Sequence, residues 1–228
     1  MTKESIYITG IKKIFKNARS RKYPKNQIIF YAGDPLTNVN FINKGYIKAY
    51  TILDSGDTRT ILILGPGDIF PIAFSTSLDW EGYELHYFYQ TLTDVELSAV
   101  DNNEFRRMIT HEPEILKAYM NYTMATNGAI LNQLEVMKSN NAIQRIVMLL
   151  PYLVGKMGKR LKPNTYQLRV RLSHQEMADL SGVTRETTTA LVKKLEKEGT
   201  IKQQKSGWII KTDEPIENIG KESEEINK

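Results

Sequence analysis

Residues 172–195 read Leu-Ser-His-Gln-Glu-Met-Ala-Asp-Leu-Ser-Gly-Val-Thr-Arg-Glu-Thr-Thr-Thr-Ala-Leu-Val-Lys-Lys-Leu, two helix signals on either side of a glycine turn. Ser173 and Glu176 have capping-box spacing: the hydroxyl accepts from the backbone N–H of Glu176, and that carboxylate reaches back to the N–H of Ser173. Leu172 before the cap and Met177 after it can close a hydrophobic staple. The first helix, over 175–180, ends at Ser181-Gly182, where glycine permits a tight turn. Thr184 caps a second helix over 185–197. Ala178, Val183, Leu191 and Leu195 are the expected buried set, holding the helices near the perpendicular. After Gly199, two short strands flank Lys205-Ser206-Gly207 as a basic hairpin. Two helices, a tight turn and a hairpin read as a winged helix-turn-helix.

With those apolar residues inward, the second helix turns Arg185, Glu186, Thr189 and Lys193 outward. These side chains suit base edges: Arg185 can bind guanine O6/N7 bidentately, Glu186 can accept from cytosine N4, and Thr189 can meet a thymine methyl or donate a hydrogen bond. Ser173, His174, Gln175, Thr184 and Thr187 sit at the two helix starts, which suit phosphates, and Lys193, Lys205 and Ser206 extend that set. Charge agrees with this. The 228 residues carry 31 Lys+Arg and 26 Asp+Glu, but unevenly. Residues 1–138 hold 15 of each; residues 139–212 hold 14 basic and 5 acidic, a net +9; residues 213–228 hold 2 basic and 6 acidic, a net −4. A basic domain beside a neutral one is the footprint of a polyanion partner, here double-stranded DNA. The acidic end, without an apolar run, is expected to be disordered.

Upstream, short β-rich runs alternate with turns: 27–31, 39–42, 46–52, 59–64, 84–89 and 95–100. Such spacing indicates an antiparallel roll or barrel, packed by the aromatic group Tyr83, Tyr87, Phe88 and Tyr89. A short helix over 103–110 then precedes a long one over 114–137, begun by Pro113. On it Leu116, Met120, Thr123, Asn127, Ile130, Leu134 and Met137 recur at three- and four-residue steps and form one stripe. That stripe can pair with a second copy of the chain, with Asn127 fixing register, or pack on its own roll. The chain therefore reads as α+β: a β-roll sensor at 1–112, a dimerisation helix at 113–138, a winged helix-turn-helix at 139–212 and a tail at 213–228.

The absence of cysteine excludes disulfide scaffolds, thiolate zinc sites, cysteine-ligated iron–sulfur clusters and a cysteine nucleophile. His86, His111 and His174 stand apart, without the short ligand spacing of a metal site, and there is no phosphate loop or nucleophile elbow. No enzyme is expected. With no membrane-length apolar run and no signal-peptide pattern, a cytoplasmic protein is expected. Two rivals stay open: a ligand-sensing or scaffold module whose helix pair binds protein, and a β-barrel enzyme.

Taken over residues 20–212, the chain resembles the Crp/Fnr family of bacterial transcription regulators. Gly45, Gly56 and Gly67-Asp68 carry the likeness in the roll. Ser173-His-Gln-Glu176, Gly182 and Val183-Thr-Arg-Glu-Thr187 carry it in the reader. The resemblance implies a jelly roll of the cyclic-nucleotide-binding type, base reading by Arg185 and Glu186, phosphate contacts from Thr184 and Thr187, a homodimer on a palindromic site, and RNA polymerase as a further partner. Ala190 stands where the family often has another arginine, so one base step should be read less strongly. Pro71-Ile72-Ala73 and Leu85-His86 stand where cyclic-nucleotide members hold ribose and phosphate, and Ile130-Leu131 replaces the polar pair that meets adenine. A phosphate without its arginine loses a charge-assisted hydrogen bond, so no cyclic nucleotide is expected. An effector, unnamed, would sit in an apolar pocket beside Phe70, Leu85 and Ile130.

Overall fold

The computed structural model describes residues 3–71 and 85–212. The acidic tail, Tyr83 and Ile72-Ala73 lie outside the described residues. Two compact units form, one from residues 1–51 and 61–130 and the other from 52–60 and 131–228.

Among the described residues the first unit opens with α1 (Lys3–Ile14) and continues through eight strands: β1 (Arg19–Tyr23), β2 (Ile28–Phe30), β3 (Asn38–Lys44), β4 (Ile47–Ile52), β5 (Thr58–Leu64), β6 (Ile69–Phe70), β7 (Phe88–Thr91) and β8 (Val95–Asp101). They build two four-stranded sheets, ordered β1-β8-β3-β6 and β2-β7-β4-β5. Strands β1 and β3 both pair antiparallel with β8, and β7 pairs antiparallel with β2 and β4. Because side chains alternate across a strand, each sheet has two faces with different tasks. Ile42, Phe70, Val95 and Leu97 point between the sheets and pack with Ile47, Leu64 and Tyr89. Val39, Phe41, Ile69 and Val100 point the other way, into a second core with Ile11, Ile14, Phe105 and Ile115.

That second core is completed by α2 (Asn102–His111) and α3 (Pro113–Lys138). Asp101 caps α2, its side chain accepting from the N–H groups of Asn103 and Glu104. Ile115, Ala118, Tyr119 and Tyr122 are the buried side of α3. The Tyr122 hydroxyl donates to the Ile69 carbonyl at 3.0 Å and accepts from the Ile69 N–H at 3.1 Å, which pins the helix to β6. Burial pushes the Tyr119 phenol well above its ordinary range, so it stays neutral.

The second unit contains α4 (Ala142–Met157), β9 (Gly158–Lys162), β10 (Thr165–Leu168), α5 (His174–Ser181), α6 (Arg185–Lys197), β11 (Ile201–Gln204) and β12 (Gly207–Lys211). Its four strands form one sheet, ordered β11-β12-β10-β9. Strands β11 and β12 are the two expected after Gly199, whereas β9, β10, α1 and β1 are elements that the sequence pattern does not announce.

Candidate nucleic-acid interface

Ser173 and Thr184 begin the two helices of the reader as their local chemistry requires. The Ser173 hydroxyl accepts from Glu176 N–H at 3.1 Å, and the Glu176 carboxylate accepts from Ser173 N–H, a complete capping box. Leu172 and Met177 are both buried beside it. Between the helices Gly182 has φ +68°, the left-handed conformation that ends α5 and turns the chain. Thr184 Oγ1 accepts from Thr187 N–H at 3.3 Å and donates to Thr187 Oγ1 at 3.0 Å.

The inward face of α6 differs from the expected one. Thr188, Val192 and Leu195 are buried, whereas Leu191 and Val183 are only half-buried. Leu191 and Val192 are adjacent apolar residues that serve a helical stripe equally well on paper. The i, i+4, i+7 set ending at Leu195 selects Val192. Thr188 takes the first of those positions, and its hydroxyl is buried without a partner.

The outward face carries Arg185, Glu186, Thr187 and Lys193, all exposed, together with Ala190. Arg185 and Glu186 stand in the first turn immediately after the Thr184 cap. Lys193, Lys194 and Lys197 continue a basic edge, along which Lys194 has only a long 4.0 Å contact to Glu198. Ser173, Gln175 and Thr184 are exposed at the helix starts, although the Gln175 amide donates to buried Asp179 at 2.7 Å. In the wing, Lys205 and Ser206 are exposed at the β11–β12 turn, and Ser206 Oγ accepts from Gln167 at 2.8 Å. Gly207 closes that turn at φ +129°, and a Cβ there would meet the Leu168 carbonyl at 2.4 Å. Only glycine fits that approach.

His174 departs from its expected phosphate role. Its Nδ1 lies 3.0 Å from Thr189 Oγ1, its Nε2 is buried without a partner, and its ring meets Trp208 edge-on at 6.1 Å between centroids. The Thr189 hydroxyl donates to the Arg185 carbonyl at 2.8 Å, so the imidazole is the donor to Thr189, from Nδ1. Two consequences follow. His174 ties α5, α6 and β12 together instead of facing a phosphate. Thr189, half-buried with its hydroxyl engaged, has chiefly its methyl left for a base.

On α3 the two sides separate cleanly. Leu116, Met120, Asn127 and Leu134 are exposed, Thr123, Ile130 and Met137 half-buried. Met124 and Leu131, absent from the expected stripe, are the most exposed large apolar residues among those described on the helix, at 66% and 62%. Of the residues expected beside an effector, Ile130 is half-buried. Phe70 is buried in the core between the sheets and Leu85 in the core under the helices. Among the described residues no cluster of three or more His, Asp or Glu could hold a metal ion, and no helix is long and apolar enough to cross a membrane.

Comparison with known proteins agrees with both halves. The cyclic nucleotide-binding domain family matches residues 20–112, and the Crp-like helix-turn-helix domain family matches residues 144–215. The cAMP-activated global transcriptional regulator CRP of Haemophilus influenzae is 24% identical over 182 residues, covering 79% of this chain and 78% of that protein. The HTH-type transcriptional regulator ArcR of Staphylococcus epidermidis is 21% identical over 193 residues, covering 85% and 82%. Among solved structures, the c-di-GMP responsive global regulator CLP of Xanthomonas campestris shares the fold with a TM-score of 0.70 at 21% identity, covering 90% of this chain and 99% of that one. These relatives are transcription regulators, not enzymes. With a jelly roll, a capped helix pair and a wing in the order these regulators share, the chain belongs to the Crp/Fnr family of transcription regulators and carries its helix-turn-helix DNA-binding domain.

Proposed function

We propose that the chain acts as a homodimer that reads a palindromic duplex site through α6, and that its roll does not answer to cAMP. The observation carrying the reading is the first turn of α6, where Arg185 and Glu186 stand exposed on a capped helix within a segment of net charge +9. Dimerisation is supported by the apolar exposed side of α3, since a closed two-fold pair would cover it. Two such helices, one per protomer, would enter successive major grooves about 34 Å apart, which makes the site palindromic. The insensitivity to cAMP is supported by Leu85-His86 in place of an arginine and serine, with Leu85 packed into the core. RNA polymerase is the expected further partner.

The test is operator selection from a random duplex library with the full chain, followed by variants on the selected site. Arg185→Ala is expected to cost about 1–3 kcal/mol and to relax preference at one base position. Lys193→Ala is expected to weaken all sequences alike and to make the salt slope of binding shallower by about one. Both are read by fluorescence anisotropy across a salt series. No salt-sensitive binding to any duplex would return the helix pair to a protein-binding role. Tight cAMP binding by calorimetry would overturn the sensor reading.

A further inference from the structure

The face of the β1-β8-β3-β6 sheet that looks between the sheets changes character along its length. At one end Ile42, Val95 and Leu97 fill it with apolar core. At the other, the cross-strand row runs Arg19, Ala99, Asn40, with Arg21 two residues along β1 on the same side. Here, at the β1 edge where Arg19 and Arg21 are exposed, the sheet borders a cleft of about 470 Å³, walled also by Ile29, Phe30 and, from the helix side of the sheet, Val100 and Met108. Asn40 is only 5% exposed, and its amide nitrogen has no hydrogen-bond partner. Such a group is costly to keep unless something satisfies it. The two guanidinium groups are also uncommitted: among the described residues no carboxylate forms an ion pair with Arg19 or Arg21. The two acids in the wall are Asp101 and Glu104. Asp101 is occupied in capping α2.

We propose that this cleft binds a small organic anion, its acidic head held by Arg19 and Arg21, its apolar body against Phe30, Ile29 and Met108, and a polar atom on the Asn40 amide. Two arginines side by side present the planar donor forks that match carboxylate or phosphate oxygens. The volume is that of a metabolite-sized site, and its wall is mixed, with more polar than apolar surface, as a charged head on a small apolar body requires. It is separate from the positions that correspond to the family's cyclic-nucleotide motif: Pro71, Leu85, His86, Ile130 and Leu131 do not line it. Nor does it depend on the DNA reading, because every residue invoked belongs to the roll unit.

The test is ligand titration of the full chain followed by NMR and thermal shift, with benzoate, phenyl phosphate and, as a neutral control, benzyl alcohol. Saturable binding of benzoate or phenyl phosphate with Kd of about 1 mM or tighter is expected, perturbing the Met108 methyl, and none by benzyl alcohol. Preference between the two anions identifies the head group. Arg21→Gln should weaken the anion at least about tenfold, with partial rescue by Arg21→Lys. Asn40→Leu should raise the melting temperature of the free protein while abolishing the ligand-induced shift, which separates lost binding from lost folding. Equal binding of benzyl alcohol, indifference to Arg21→Gln, or no saturable binding by either anion would overturn the site.

Discussion

Replacing Trp208 by alanine is expected to destabilise the winged helix-turn-helix by about 3–5 kcal/mol, the range for truncating a buried large aromatic. Trp208 is among the largest fully buried side chains, at 1% exposure on β12. It pairs across the wing with Gln203 and meets the His174 ring edge-on. Its removal would open a cavity and release the imidazole that holds Thr189, so stability and the outer face of α6 should suffer together. Urea unfolding followed by circular dichroism measures the first effect, and anisotropy on the selected operator the second. Trp208→Phe keeps an aromatic edge for His174 and should retain most of both. A loss below about 1 kcal/mol for Trp208→Ala would mean that the site collapses without cost, and that the wing is not held by this side chain.

The same contact marks where the sequence stopped being legible. The capping box of α5 and the Thr184 cap of α6 are local: four consecutive residues contain donor, acceptor and spacing, so reading them in order recovers the geometry. The His174–Thr189 bond joins residues fifteen apart on different helices, and no periodicity announces it. An exposed helix start and a packed one look alike until α6 is laid across it. The missed elements fail for a related reason. Strand β1, Arg-Ser-Arg-Lys-Tyr, has no apolar alternation and is almost wholly exposed; it exists because β8 supplies a complete antiparallel ladder. Strand β9, Gly-Lys-Arg-Leu-Lys, is similar. In α1, Gly10 lowers helix propensity, yet a Cβ there would lie 2.5 Å from Ala118 Cβ. The residue that weakens the helix in isolation is the one that lets it approach α3. Arg19 and Arg21 were invisible as cleft residues for the same reason that β1 was invisible as a strand.

The proposed α3 seam carries the other large effect. Met120 and Leu134 are each 50% exposed, and with Met124 and Leu131 they leave a run of apolar side chains in water on the side opposite Ala118 and Tyr122. Burying each such residue against a partner contributes about 1.5–3 kcal/mol relative to leaving it exposed, and a two-fold pair counts each twice. Asn127 is exposed on the same helix; facing its symmetry mate it would favour one register at some cost in stability. A Met124→Asp/Leu131→Asp double variant would set like charges into that seam from both protomers. It is expected to run as a monomer in sedimentation velocity. Its affinity for the full palindrome should fall about 10²–10⁴-fold, the gain that linking two binding modules confers. Affinity for an isolated half-site, which one protomer can occupy, should be unchanged, as should the helical circular dichroism. Asn127→Leu should act in the opposite sense, tightening association while admitting other registers. A double variant that remained dimeric and kept full affinity for the palindrome would show that the partner is met elsewhere, and that the exposed side of α3 serves a different contact.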